Sequence, residues 1–351
     1  MVNGGLEGVV VAETTTSYVN GQTGELWIRG TPVQELAASG RFESAVAHLL
    51  ELPDEPDLGP ARVAAFETLA PSDAPDGMAA LRAAVAGLPD EASPDVLLGA
   101  MAVAGAAWCR RRAGETPLAP DPSLDHATDV LRMATGTLDP VGGRALARYL
   151  TTVIDHGFNA STFAARVVTS TQSDATSAVV AAICALKGPL HGGAPGPVLD
   201  LLDAIGTPLR ARGVLEAELA AGRRIMGFGH RVYRVRDPRA AVLESAVHEL
   251  VAAGRTSPLL ELARAVEPVA IEVLAVHKPD RALPANVEYF TAVLLDALGL
   301  PRTMFTPTFA MGRTAGWLAH IAEQRAEGRL IRPKARYVGP RPGISAASSG
   351  T

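Results

Sequence analysis

Along most of this chain, apolar residues recur at a helical period. Alanine-rich stretches with 3.6-residue spacing lie near residues 32–51, 60–70, 77–88, 93–113, 125–135, 142–155 and 160–171. A chain patterned this way can bury its apolar stripes only by packing helix on helix, so the expected fold class is all-α. Proline and glycine punctuate the pattern at LPDEPDLGP (52–60) and GETPLAPDPSLD (114–125), which read as loops. Only the beginning differs. Val9 to Glu13 and Leu26 to Arg29 read as extended runs around an NGQTGE turn, which predicts a small N-terminal β-hairpin. No repeat of solenoid period occurs, and the tail GISAASSGT (343–351) is expected to be disordered.

Composition narrows the function. The hydrophobic set makes up 48% of the 351 residues and the charged set 20%, enough apolar material for a sizeable core. A net charge of −5 with no strongly basic region argues against a nucleic-acid partner. The run Arg110 to Arg112 reads as a solvated helix end. Cys109 and Cys184 have no metal-type spacing and read as two buried thiols in a reducing compartment. The start MVNGGLEGVVVAETTT lacks the cationic and apolar regions of a signal peptide. The most apolar windows, Val96 to Cys109 and Ala175 to Leu186, are shorter than a membrane span. These features lead to the expectation of a cytoplasmic protein with no membrane or metal partner.

The chemistry-bearing residues are few. Of eight histidines, three lie beside glycine at expected helix boundaries: His156 in IDHGFNAST, His191 in LKGPLHGGA and His230 in MGFGHRVY. Loop histidines of this kind are site candidates, although a structural histidine is the commoner case for each alone. His48, His126, His248, His277 and His320 sit in helical or charged contexts and read as structural. Asp237 and Pro238 open a helix whose first turn holds Arg239. A cation there opposes the helix dipole, so Arg239 either reaches into solvent or joins the helix N-terminus in holding an anion. Arg313 shares an apolar helix face with Phe309, Gly316, Trp317 and His320, where it needs an anionic partner, either an internal acid or a substrate carboxylate. Arg332 in LIRPKARY is a third candidate. Several arginines without a metal motif point to a di- or tricarboxylate or a phosphate-bearing ligand. Glu288 in NVEYFTAVLLDALGLP precedes a core-like run. It reads either as a first-turn glutamate stabilised by the dipole or as a partly buried general base.

Taken together, these segments resemble the citrate synthase family. GLEGVVVAETTTSYVNGQTGELWIRG, DHGFNASTFAARVVTSTQSD, ALKGPLHGGAP, IMGFGHRVYRVRDPRA, NVEYFTAVLLDALGLP, RTAGWLAHIAEQ and RLIRPKARYVGP follow in the family's order, and GFGHRVYRVRDPR is highly specific. The resemblance implies condensation of acetyl-CoA with oxaloacetate and hydrolysis of citryl-CoA. It implies no permanently bound cofactor, with acetyl-CoA as co-substrate. His191 matches the group that hydrogen-bonds the thioester carbonyl, Glu288 the base that removes a methyl proton, and His230 the donor to the oxaloacetate carbonyl. His156, Arg239, Arg313 and Arg332 match the groups that hold oxaloacetate and citrate carboxylates. In the family the last comes from the partner subunit, which implies a homodimer. Gly227, Phe228, Gly229 and Arg234 match the CoA-contacting region. The resemblance also implies a small domain over about 191–299 that closes on a large one made of 1–190 and 300–351.

Glu288 stands where most of the family has Asp, and Gly157 and Pro195 replace the usual residues of DHE and GGAN. The branch often called citrate synthase 2 looks similar in carrying NVE and GGAP. Two alternatives follow: a 2-methylcitrate synthase using propionyl-CoA, and a non-catalytic ligand-binding or regulatory relative. The short chain leads to the expectation of a dimer without a separate N-terminal regulatory module.

Overall fold

The computed structural model describes residues 4–6, 8–70, 72–192, 196–229, 233, 235–280 and 282–339. Fifteen α-helices account for most of them: α1 (Val33–Ala38), α2 (Phe42–Leu50), α3 (Gly59–Thr68), α4 (Gly77–Ala86), α5 (Pro94–Arg112), α6 (His126–Thr135), α7 (Pro140–Thr152), α8 (Ala160–Ser170), α9 (Ala175–Leu186), α10 (Gly196–Ile205), α11 (Ala211–Ala220), α12 (Pro238–Ala252), α13 (Pro258–His277), α14 (Val287–Ala297) and α15 (Phe305–Glu327). Side-chain caps begin many of them. Asp76, Ser93, Asp125, Asp139, Asn159, Asp174, Asp237, Ser257 and Asn286 each accept from a backbone N–H of the first turn. The helical-period stretch at 32–51 forms two helices, because Gly40 at φ 62° breaks the path between α1 and α2.

The N-terminal sheet is a three-stranded antiparallel meander of β1 (Ser17–Asn20), β2 (Glu25–Ile28) and β3 (Thr31–Pro32). Asn20 pairs with Glu25 across the NGQTGE turn, which sets the register Ser17 to Ile28. The expected first arm at Val9 to Glu13 is therefore corrected to 17–20. Val9, Val10 and Val11 are exposed and join no strand. One thiol expectation is also corrected: Cys109 is buried, but Cys184 is exposed on α9. The tail at 343–351 lies outside the described residues.

The helix α15 is buried around most of its circumference and packs against α2, α4, α5, α7, α8 and α9. It approaches the end of α7 so closely that its facing positions are glycine. A Cβ on Gly316 would sit 2.2 Å from the Ile154 carbonyl oxygen and 2.8 Å from Asp155 Oδ1. Gly316→Ala is expected to destabilise the protein by about 1–3 kcal/mol through overpacking. Denaturant unfolding checks this: a midpoint equal to that of the native protein would show that the contact is not tight.

Candidate active site

A cavity of about 230 Å³ opens where the end of α7, the loop at 153–159, the turn after α9, the N-termini of α12 and α14, and the middle of α15 converge. Its wall includes five residues singled out in the sequence, His156, His191, Arg239, Glu288 and Arg313. It also includes Tyr149, Thr291 and Phe309, which sequence reasoning did not select. A larger cavity of about 640 Å³ lies elsewhere, between the ends of α5 and α6 and the turn at 298–303, and takes in none of the selected residues.

His156 is held from both sides. The segment before α8 is pinned through Asp155, which is fully buried and accepts from the Gly157 N–H (3.0 Å) and the Ser17 hydroxyl. Ser17 also accepts from the Gly157 N–H at 2.9 Å, so the first residue of β1 clamps the histidine loop. Gly157 takes φ 63°, a left-handed conformation that the usual Glu of this segment would adopt only with strain. His156 Nε2 lies 3.0 Å from the Tyr233 hydroxyl.

Behind Asp155 runs a buried ionic chain. His320 Nε2 is 3.4 Å from Asp155, its Nδ1 is 3.7 Å from Glu323, and the fully buried Arg166 donates to Glu323 (2.6 Å) and Glu327 (3.0 Å). Burial alone would lower the His320 pKa, but Asp155 and Glu323 outweigh it and the net shift is upward.

His191 sits in the turn after α9, where Nε2 lies 2.9 Å from Ser161 Oγ. Ser161 Oγ also accepts from the Trp317 indole N–H at 3.1 Å. Asn159 Oδ1, the cap of α8, accepts from the Ser161 and Thr162 amides and from the Ser161 hydroxyl at 2.8 Å. Ser161 Oγ thereby ties His191 to the cap of α8 and to Trp317. Burial, with Arg313 nearby, lowers the His191 pKa to about 4, so the ring is a neutral donor at pH 7.

Two guanidinium groups line the cavity. Arg239 forms a fork with its own helix cap Asp237, Nε to Oδ1 at 3.0 Å and Nη2 to Oδ2 at 2.7 Å. Arg313 donates from Nε to the Val153 carbonyl (2.7 Å) and stacks on Phe309, with Cζ 4.7 Å from the ring centroid. Burial lowers the Arg313 pKa to about 10, with Asp155 opposing and Arg239 reinforcing the shift. Glu288, half-buried in the first turn of α14, has its carboxyl pushed above the usual range, chiefly by burial, while Arg239 pulls the other way. A carboxyl of raised pKa beside a neutral imidazole donor and two guanidinium groups can take a proton from a weak carbon acid held near a bound dianion.

The remaining selected residues lie elsewhere. Arg332 is exposed on the segment after α15 and does not line this cavity. Gly227 to Gly229 pair with the segment leading into α14: Asn286 N donates to Gly227 O, Gly229 N to Pro284 O, and Phe228 bridges Ala285. His230, Arg234 and Pro195 lie outside the described residues. Among the described residues there is no cluster of metal-ligating side chains, and no helix is long and apolar enough to cross a membrane.

The raised His320 pKa has a consequence for stability. Its stabilising contribution is complete below its unfolded value of about 6.5 and is lost as pH rises through the higher folded value. The thermal midpoint is expected to fall more steeply as pH rises above the unfolded value in the native protein than in His320→Asn. Parallel slopes would contradict a charged His320.

A sequence model described as "Citrate synthase, C-terminal domain" matches residues 5–334. The chain is 46% identical over 230 residues to a Mycobacterium tuberculosis protein named "Putative citrate synthase 2", covering 64% of this chain and 60% of that one. The alignment thus spans three-fifths of that relative's length. It is 37% identical over 373 residues to a citrate synthase of Mycolicibacterium smegmatis, covering 96% of this chain and 95% of the relative. Among solved structures it matches the citrate synthase of Thermoplasma acidophilum in ternary complex with carboxymethyl coenzyme A and oxaloacetate. The TM-score is 0.85 at 27% identity, covering 99% of both chains.

Proposed function

Because the chain belongs to the citrate synthase family, we propose that it condenses acetyl-CoA with oxaloacetate and hydrolyses citryl-CoA to citrate and CoA. The observation that carries this reading is the convergence of Glu288, His191, Arg239 and Arg313 on one cavity, with the carboxyl raised and the imidazole neutral. Glu288 takes a proton from the acetyl methyl group while His191 donates to the thioester oxygen, which carries the developing negative charge. The enolate carbon then attacks the oxaloacetate ketone, and His230 supplies the proton to the new alkoxide. His156, Arg239 and Arg313 hold the carboxylates. CoA is a co-substrate that contacts the loop Gly227 to Gly229 and Arg234, and no cofactor is bound permanently.

In this reading residues 191–299 form a small domain that closes over a large one made of 1–190 and 300–351. The cavity wall supports it by drawing His191, Arg239 and Glu288 from the first and His156 and Arg313 from the second. Closure lets citryl-CoA be hydrolysed while free acetyl-CoA is spared. We also assign a homodimer in which Arg332 completes the partner's site. In support, α8 and α9 leave Phe163, Val167, Val168 and Val180 only partly covered beside the exposed Cys184, and the segment bearing Arg332 is tied to α8 by Ile331 N donating to Ser170 Oγ. A cytoplasmic location accords with the bacterial relatives. The names of those relatives, "Putative citrate synthase 2" and citrate synthase, support acetyl-CoA rather than propionyl-CoA as this chain's substrate.

Thiol release from acetyl-CoA and from propionyl-CoA, each with oxaloacetate, tests the proposal. The native protein is expected to release CoA faster from acetyl-CoA, and Glu288→Gln to lose about 10²–10⁴-fold in rate. No release from either thioester would refute synthase activity and leave the non-catalytic reading. Faster release from propionyl-CoA would reassign the substrate.

A further inference from the structure

Tyr233 stands between two of the groups assigned to the oxaloacetate carboxylates, and nothing in the reaction as written gives it a part. Its side chain is buried, with 2% of the residue exposed. On one side its hydroxyl lies 3.0 Å from His156 Nε2, and the two rings meet edge to face at 71° with centroids 5.7 Å apart. On the other side the Arg239 guanidinium carbon lies 5.7 Å from the Tyr233 ring centroid. His156 comes from the loop before α8 and Arg239 from the first turn of α12. Tyr233 is therefore the side chain through which the loop histidine and the helix arginine touch a common surface.

The chemistry of a buried phenol makes that contact directional. Burial raises the Tyr233 pKa, so the hydroxyl keeps its proton across the working range. A protonated phenol can donate to the imidazole nitrogen beside it, and in that pairing the ring carries its own proton on Nδ1. Edge-to-face packing restricts rotation of the imidazole about its side-chain bonds. The same ring offers its π face to the Arg239 cation, whose fork to Asp237 fixes the other end.

We propose that Tyr233 is a positioning residue for oxaloacetate: it fixes the tautomer and orientation of His156 and aligns that histidine with Arg239, so that both donors meet the dicarboxylate together. This rests on the reading that His156 and Arg239 hold oxaloacetate. Tyr233 touches no reacting atom, so its effect belongs to substrate affinity rather than to the chemical step.

The test is a mutant cycle on the full-length protein with Tyr233→Phe, His156→Ala and the pair, reading KM for oxaloacetate, KM for acetyl-CoA, kcat and the calorimetric Kd for oxaloacetate. Tyr233→Phe keeps the ring and its packing and removes only the hydroxyl. It is expected to raise the oxaloacetate KM and Kd about five- to tenfold, with kcat and the acetyl-CoA KM within twofold. In the His156→Ala background the same change is expected to add nothing, because its route is gone. Imidazole ¹⁵N shifts of labelled protein are expected to show a single His156 tautomer in the native protein and tautomer averaging in Tyr233→Phe. An equal loss in both backgrounds, or an unchanged oxaloacetate KM in Tyr233→Phe, overturns the proposal while leaving synthase activity standing. A native protein that binds no oxaloacetate overturns both.

Discussion

Two guanidinium groups buried in one small cavity are the constraint around which this protein is built. Arg313 is 2% exposed and Arg239 6%, and each repels the other. Removing a charge from water is costly unless opposite charge and hydrogen bonds replace the lost hydration. Arg239 meets that demand mostly within its own helix start, through Asp237. Arg313 has a backbone carbonyl, an aromatic face and the field of Asp155, and its lowered pKa records that these compensate only in part. The unmet remainder is a preference for an anion in the cavity, which the proposed dicarboxylate substrate would satisfy.

Much of the surrounding architecture serves to hold that arrangement. The glycine at 316 lets α15 lie directly on the backbone of 154–155, which keeps Asp155 near Arg313. The buried pairs of His320, Glu323 and Arg166 anchor Asp155 from behind, and Ser17 of the N-terminal sheet closes the loop from the front. The hairpin, peripheral to the helical core, is thereby linked to the loop that carries His156. Outside the cavity lining, the glycine loop at 227–229 is stitched to the segment that opens α14, so the region expected to meet CoA and the helix that carries Glu288 are mechanically continuous.

The helices were legible because their period, caps and breakers are local properties. Asn159, Asp174 and Asp237 mark their helices in the sequence as they do in the structure. Arg313 was legible as a buried cation because its spacing puts it on an apolar face. What the sequence hid depends on contacts between distant segments. Val9 to Glu13 has strand composition but finds no partner strand, since the turn register uses residues 17–20. Cys184 sits in an apolar run, yet its position on α9 faces outward. Ser161, Tyr233, Phe309 and Asp155 are ordinary residues in their local contexts. Only the tertiary fold brings Ser161 to His191 from 30 positions away and Tyr233 to His156 from 77.

Calorimetric titration of the native protein with oxaloacetate and with pyruvate, in the absence of acyl-CoA, tests the central claim most directly. Pyruvate keeps the ketone and one carboxylate but lacks the second. If the cavity is a positive site completed by a dianion, oxaloacetate binds and pyruvate binds more weakly by about 10- to 150-fold, the value of one charge-assisted contact of roughly 1.5–3 kcal/mol. Equal affinity for the two, or no binding of oxaloacetate, would contradict the account.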